Sequence, residues 1–95
     1  MDSAPISKSN FIIEKNVGFD ESMLELSKMC ILFAIEEIRD DDWKKSNFVC
    51  QKFEGKYGGR WCSCFIKNGD VRFIYDDKYL KLKYKDYLIK IAKTY

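Results

Sequence analysis

Between Glu21 and Ile38 the apolar residues recur every three or four positions. Met23, Leu26, Cys30 and Phe33 form one stripe, and Leu24, Ile31, Ile35 and Ile38 a neighbouring one. That period belongs to a helix. No Gly or Pro interrupts the segment; Asp20 stands ahead of it as an N-cap, and Glu21 falls in the first turn, where the helix dipole favours an acid. Two stripes predict a broad buried face, as for a helix wedged between a sheet and a second helix. A sharper alternative is that part of this face, through Met29, Leu32 or Ile35, meets another protein.

Arg39-Asp40-Asp41-Asp42 breaks the pattern and offers an N-cap for a second helix from about Trp43 to Tyr57. The spacing and terminal Glu of a calcium-binding EF-hand loop are missing, so the acids predict capping and solvation. Inward positions are Trp43, Asn47, Cys50 and Phe53, or Phe48, Val49 and Phe53. Lys44, Lys45, Gln51, Lys52 and Lys56 are left for the outside, and Gly58-Gly59 stops the helix.

From Trp61 the period changes to two. Trp61 to Ile66 predicts a strand, Lys67-Asn68-Gly69-Asp70 a turn, and Val71 to Tyr75 a second strand, with Asn-Gly as a tight-hairpin signal. After Asp76-Asp77-Lys78, the run from Tyr79 to Lys85 alternates cleanly. Leu80, Leu82 and Tyr84 share one face, and Lys81, Lys83 and Lys85 the other. Asp86 turns the chain into a last strand from Tyr87 to Lys93. Near the start, Phe11 to Lys15 predicts a short edge strand, preceded by a polar tail over residues 1–10. Strand, two helices and four strands make an α+β domain, its helices covering one face of an antiparallel sheet.

The chain has 95 residues, which is one domain, and 46% hydrophobic with 16% aromatic residues excludes a disordered chain. The longest apolar run, Met29 to Ile35, is far short of the roughly 20 residues a spanning helix needs. The first five residues show neither a basic nor an apolar signal region, which predicts a cytosolic chain. Net charge is only +2, but residues 60–95 carry nine Lys/Arg against four Asp, while residues 1–59 carry eight against eleven Asp/Glu. Two halves of opposite sign can complement each other within one fold or across a dimer.

Four cysteines (Cys30, Cys50, Cys62, Cys64) lack the paired spacing of a zinc site, and the chain has no histidine. The expectation is free buried thiols, no metal and no cofactor. Without histidine the commonest general base is gone, and no Ser or Cys sits in a nucleophile motif, so no catalytic residue is expected.

The element order resembles the eight-kilodalton dynein light chain family, and one segment carries most of that resemblance. Phe53-Glu54-Gly55-Lys56-Tyr57-Gly58-Gly59-Arg60-Trp61-Cys62-Ser63-Cys64 is similar in register to the family's Phe-Asp-Lys-Lys-Tyr-Asn-Pro-Thr-Trp-His-Cys. Phe19-Asp20-Glu21-Ser22-Met23 resembles its Met-Ser-Glu-Glu-Met entry into the first helix. Coverage runs over about residues 11–94. The resemblance implies a non-enzymatic cytoplasmic, cytoskeleton-associated adaptor, in which one strand per protomer crosses to the partner's sheet. Extended peptides, such as a segment of a dynein intermediate chain, would then add beside that strand in two grooves.

By the same resemblance the crossing and peptide-pairing stretch is Gly69, Asp70, Val71, Arg72, Phe73, Ile74 and Tyr75, led in by Lys67 and Asn68. Leu80, Leu82 and Tyr84 would floor the groove, and Lys44, or Trp43 beside it, would flank it. Cys62, Cys64, Val71 and Phe73 would lie at the dimer interface. Several positions depart from the family. Asp70-Val71 replaces a small Gly-Ser pair and Arg72 a tyrosine, which favours a partner charged to complement Arg72 or Asp70. Cys62 replaces a histidine, removing an acid-sensitive switch at the interface. Asn68-Gly69 also allows the strand to fold back on its own protomer, giving a monomer. A second class of function is single-stranded nucleic-acid binding, through Lys81, Lys83, Lys85 and Lys90 with Tyr75, Tyr79 and Tyr87.

Overall fold

A computed structural model describes residues 11–95; the expected tail over residues 1–10 lies outside the described residues. The order is β1 (Ile12–Val17), α1 (Glu21–Glu37), α2 (Asp42–Tyr57), β2 (Arg60–Ile66), β3 (Tyr79–Tyr84) and β4 (Tyr87–Thr94). The strands form one antiparallel sheet in the order β1-β3-β4-β2. The α+β class and the helices on one face stand as the sequence implies.

The caps explain where the helices begin and end. Asp20 accepts a hydrogen bond from the Met23 amide at 2.9 Å, and Asp41 accepts one from the Lys44 amide at 3.0 Å. Gly58 closes α2 with φ 71°, a left-handed conformation that a side chain would disfavour. The next residues are then free to start β2.

The buried stripe of α1 runs between the two predicted ones, through Met23, Ser27, Cys30, Ile31 and Ala34. Ser27 is tolerated there because its hydroxyl donates to the Met23 carbonyl at 2.8 Å. Phe33, expected inside, is half exposed and stacks on Phe48 of α2 with ring centroids 4.8 Å apart. In α2 the inward row is Lys45, Val49 and Phe53. This corrects two expectations: Trp43 is 71% exposed, and Lys45 is buried. The four-residue spacing of 45, 49 and 53 sets the face, and a paired lysine fits it.

Phe53 sits at the centre of the core, fully buried among Phe19, Tyr57 and Trp61. From the sheet, Phe65, Leu80, Leu82, Tyr84, Ile89 and Ile91 complete it. Each large apolar side chain so buried contributes about 1.5–3 kcal/mol relative to exposure.

The expected strand from Val71 to Tyr75 does not form, nor does the Asn68-Gly69 hairpin. Three strands, not four, follow the helices. A strand exists only where its backbone finds a ladder partner, and this stretch does not return beside β2. Gly69, with φ 92°, turns the chain instead across the sheet face opposite the helices, toward Lys90 on β4.

Candidate peptide-binding edge

β2 is a regular seven-residue strand that pairs residue for residue with β4, from Arg60↔Thr94 to Ile66↔Leu88. Because β2 ends the sheet, its other edge has no strand neighbour among the described residues. Alternate backbone N–H and C=O groups along such an edge point outward and can pair with an added strand.

Two contacts fasten the start of this edge to α2. The Trp61 amide donates to Glu54 Oε2 at 3.3 Å, and its indole Nε1 donates to the Gly58 carbonyl at 2.8 Å. The Phe-x-x-x-Tyr-x-x-x-Trp stretch therefore works as one unit, in which Phe53 and Tyr57 pack on Trp61.

Beside the edge, a groove of about 620 Å³ opens between α2 and β2. Trp43, Asn47, Cys50 and Gln51 line it from the helix, and residues 61–65 from the strand. The Ser63 hydroxyl is buried there with no hydrogen-bond partner among the described residues. Burial holds the thiols of the groove in their protonated form. It pushes Cys50 up to about 12 and raises Cys62 and Cys64 above their ordinary value. All four cysteines are free.

The residues expected to bind peptide fall into three places. Lys67, Asn68 and Gly69 form the exit from β2, and Asp70, Val71, Arg72, Phe73, Ile74 and Tyr75 cross the outer sheet face without a ladder. Lys44 is exposed on the first turn of α2. Leu80, Leu82 and Tyr84 are at most 3% exposed. They lie in the core under the helices, so within one chain they do not floor a groove, a correction that follows from the alternation that put them on the helix-covered face. Of the expected interface residues, Cys62 and Cys64 stand half-buried on β2, while Val71 and Phe73 travel with the crossing segment.

The lysines proposed for nucleic acid are mostly engaged within the chain. Lys81 and Lys83 reach Glu14 at 3.7 and 3.4 Å, and Lys90 pairs with Asp70. Tyr75 and Tyr79 stack on each other with centroids 4.4 Å apart, and Tyr87 is buried. Sequence reasoning missed the groove face itself: Asn47, Cys50 and Gln51 become a wall only once β2 lies beside α2.

No family model matches the sequence, and no curated protein matches it. Solved structures do. One is the dynein light chain-like domain of the Fasciola hepatica calcium-binding protein FhCaBP2, in a mercury derivative. It superposes with a TM-score of 0.72 at 12% identity, over 92% of this chain and 94% of that one. The fold is dynein light chain-like. The corresponding domain of CsTAL3 (residues 83–177 of that protein) gives a TM-score of 0.70 at 9% identity, over 90% of this chain and 93% of that one. At such low identity, what the three domains share is backbone topology.

Proposed function

We propose that this chain is a non-enzymatic adaptor that takes up extended segments by β-strand addition, beside the strand that a second copy lays along the β2 edge. It works as a homodimer in which residues 70–75 of each copy pair with β2 of the other. One observation carries the reading. The same chain holds a regular strand whose outer edge has no strand neighbour, and a short extended stretch with no ladder of its own, among the described residues. Each supplies what the other lacks, and a two-fold axis satisfies both at once.

In that assembly a partner peptide lies between the exchanged stretch and α2, with backbone pairing giving sequence-tolerant affinity. The exposed Arg72 selects an acidic residue in the peptide. Two such grooves clamp two copies of a partner, and the gain from bivalency reaches about 10²–10⁴. The resemblance points to cytoplasmic, cytoskeletal assemblies as the host class, a dynein intermediate chain among them. No chemistry is assigned to the groove thiols, whose raised pKa values suit packing rather than nucleophilic attack.

Sedimentation equilibrium across micromolar concentrations, at about pH 7.4 and again near pH 5.5, tests this reading. The expected result is a dimer at both pH values, since Cys62 gains no charge on acidification. A monomer throughout, with no binding from an array of extended acidic peptides, would overturn it.

A second reading rests on the other side of the molecule. Met29 is 59% and Phe33 48% exposed. With Leu26, Cys30 and Phe48 they line a mainly apolar cleft of about 440 Å³ between α1 and α2. A monomer could dock a partner there. A charge placed at Met29 that abolishes partner capture, while β2-edge substitutions leave it intact, favours this second reading over the first.

A further inference from the structure

Three lysines stand side by side on the sheet face away from the helices. Lys15 of β1 is the register partner of Lys81 on β3, and Lys81 is the partner of Lys90 on β4. Like charges directly opposite each other repel, so such a row is unfavourable unless an anion lies over it. Here Glu14 of β1 lies 3.7 Å from Lys81 Nζ, and the anion that reaches Lys90 is Asp70, from the segment that crosses this face. Its carboxylate contacts Lys90 Nζ and lies 3.6 Å from Lys81 Nζ.

Lys90 is the centre of this contact. Only 4% of it is exposed, and besides Asp70 its ammonium group donates to the Val71 carbonyl and lies 5.8 Å from the centre of the Phe73 ring. One buried cation thus holds the segment at three places, Asp70, Val71 and Phe73. Farther along, Tyr75 stacks on Tyr79, the Tyr95 hydroxyl donates to the Tyr75 carbonyl at 3.3 Å, and the Asp76 amide donates to the Lys93 carbonyl at 2.9 Å.

These are side-chain and end contacts, not a ladder. Val71 is 49% exposed and Ile74 78%, so the segment holds its place while leaving apolar side chains in water. Polar anchoring fixes its position, and hydrophobic burial contributes little at those two residues.

We infer that the Lys90–Asp70 contact, supported by Lys81, is a latch that keeps residues 69–76 on their own sheet and off the β2 edge of a second copy. The inference rests on the strand-exchange reading above. It adds an opposing force to it: to exchange, the segment must leave Lys90, which then needs water or another anion. A chain with this latch exchanges less readily than one without it, and an acidic group that competes for Lys81 and Lys90 loosens the segment.

The test compares wild type with Asp70→Asn and with Lys90→Met, which keeps the buried stem and removes the charge. Asp86→Asn serves as a control that removes an exposed carboxylate outside the latch. Two readouts are taken: amide hydrogen exchange with tryptic cleavage after Arg72, and the dimer dissociation constant by sedimentation. Both latch variants are expected to lose protection over residues 71–76 and to dimerise on the order of ten-fold more tightly. The double variant gains little beyond either single one, because both remove the same contact. Unchanged protection in both single variants overturns the latch. Lost protection without any dimer overturns its link to strand exchange, and with it the exchange reading, while showing that the contact held the segment down.

Discussion

Lys45 Nζ lies 3.1 Å from Asp42 Oδ1, one turn away on α2, with the lysine almost wholly buried and the aspartate half in solvent. The Tyr87 hydroxyl donates to the same oxygen at 3.1 Å, so Asp42 joins the first turn of α2 to the start of β4. Burial works to lower the Lys45 pKa, while the Asp42 hydrogen bond and the neighbouring Tyr87 raise it; the net effect is upward. Lys45 therefore stays charged inside the domain.

Removing the acid is then worse than removing the base. Asp42→Asn leaves a buried ammonium without its countercharge and is expected to cost about 1–3 kcal/mol, below the figure for a fully buried pair because Asp42 is partly solvated. Lys45→Met keeps the stem packed on Tyr87 and is expected to cost under about 1 kcal/mol. Urea unfolding of the two variants gives the order directly.

Gly18 is fixed by two constraints at once. Its φ is 75°, and an added Cβ would press into the Asp77 backbone carbonyl. Gly18→Ala is expected to destabilise by about 2–4 kcal/mol, through the left-handed conformation and the displaced loop together. Thermal unfolding checks it, with Gly55→Ala as the contrast. Gly55 lies within α2 with nothing near a new Cβ, so alanine there is expected to stabilise by about 0.5–1 kcal/mol.

Thiol reactivity is expected to be low and ordered. With Cys50 pushed up from 9.0 to about 12, its thiolate fraction at neutral pH falls about a thousand-fold below that of an ordinary cysteine. Cys30, raised by burial to about 11, follows. Alkylation with iodoacetamide at about pH 7.5, resolved by mass spectrometry, is expected to label Cys62 and Cys64 first. All four become equivalent in denaturant.

The α1 cap sets an acid limit. The Met23 amide, with Ser22, holds Asp20 below its ordinary value of 3.8. A carboxylate with a depressed folded-state pKa adds stability above its unfolded pKa and loses it as pH falls through the folded one. Asp20→Ala is therefore expected to lower Tm by a few degrees at pH 7. The difference from wild type disappears once the pH drops well below 3.8.

Much of this fold is legible before any coordinates. Asp20, the Asp40–Asp42 acids and Gly58-Gly59 mark helix ends by local chemistry, and the Leu80/Lys81 alternation marks a strand by its period. Those signals need only a few neighbouring residues. The helix faces were less legible, because a stripe in sequence does not say which way the helix rolls. Lys45 turned inward since Asp42 and Tyr87 were there to receive it. The stretch from Val71 to Tyr75 has a strand's composition but no ladder, since pairing depends on a partner that local sequence does not contain. The candidate groove is legible only in part for the same reason: Trp61 and Cys62 announce the strand, whereas the wall from Asn47 to Gln51 exists only through packing.

The two ends of the sheet are not alike. β2 is regular along its length, whereas β1 slips register between Ile13 and Lys15, around Glu14. An irregular, charged border discourages further stacking, and a regular one invites it. Molecules with one welcoming border finish after pairing off, while molecules with two would go on adding to one another without limit. With its register broken at Glu14, β1 is the less welcoming of the two borders, which favours strand addition at β2 over open-ended growth.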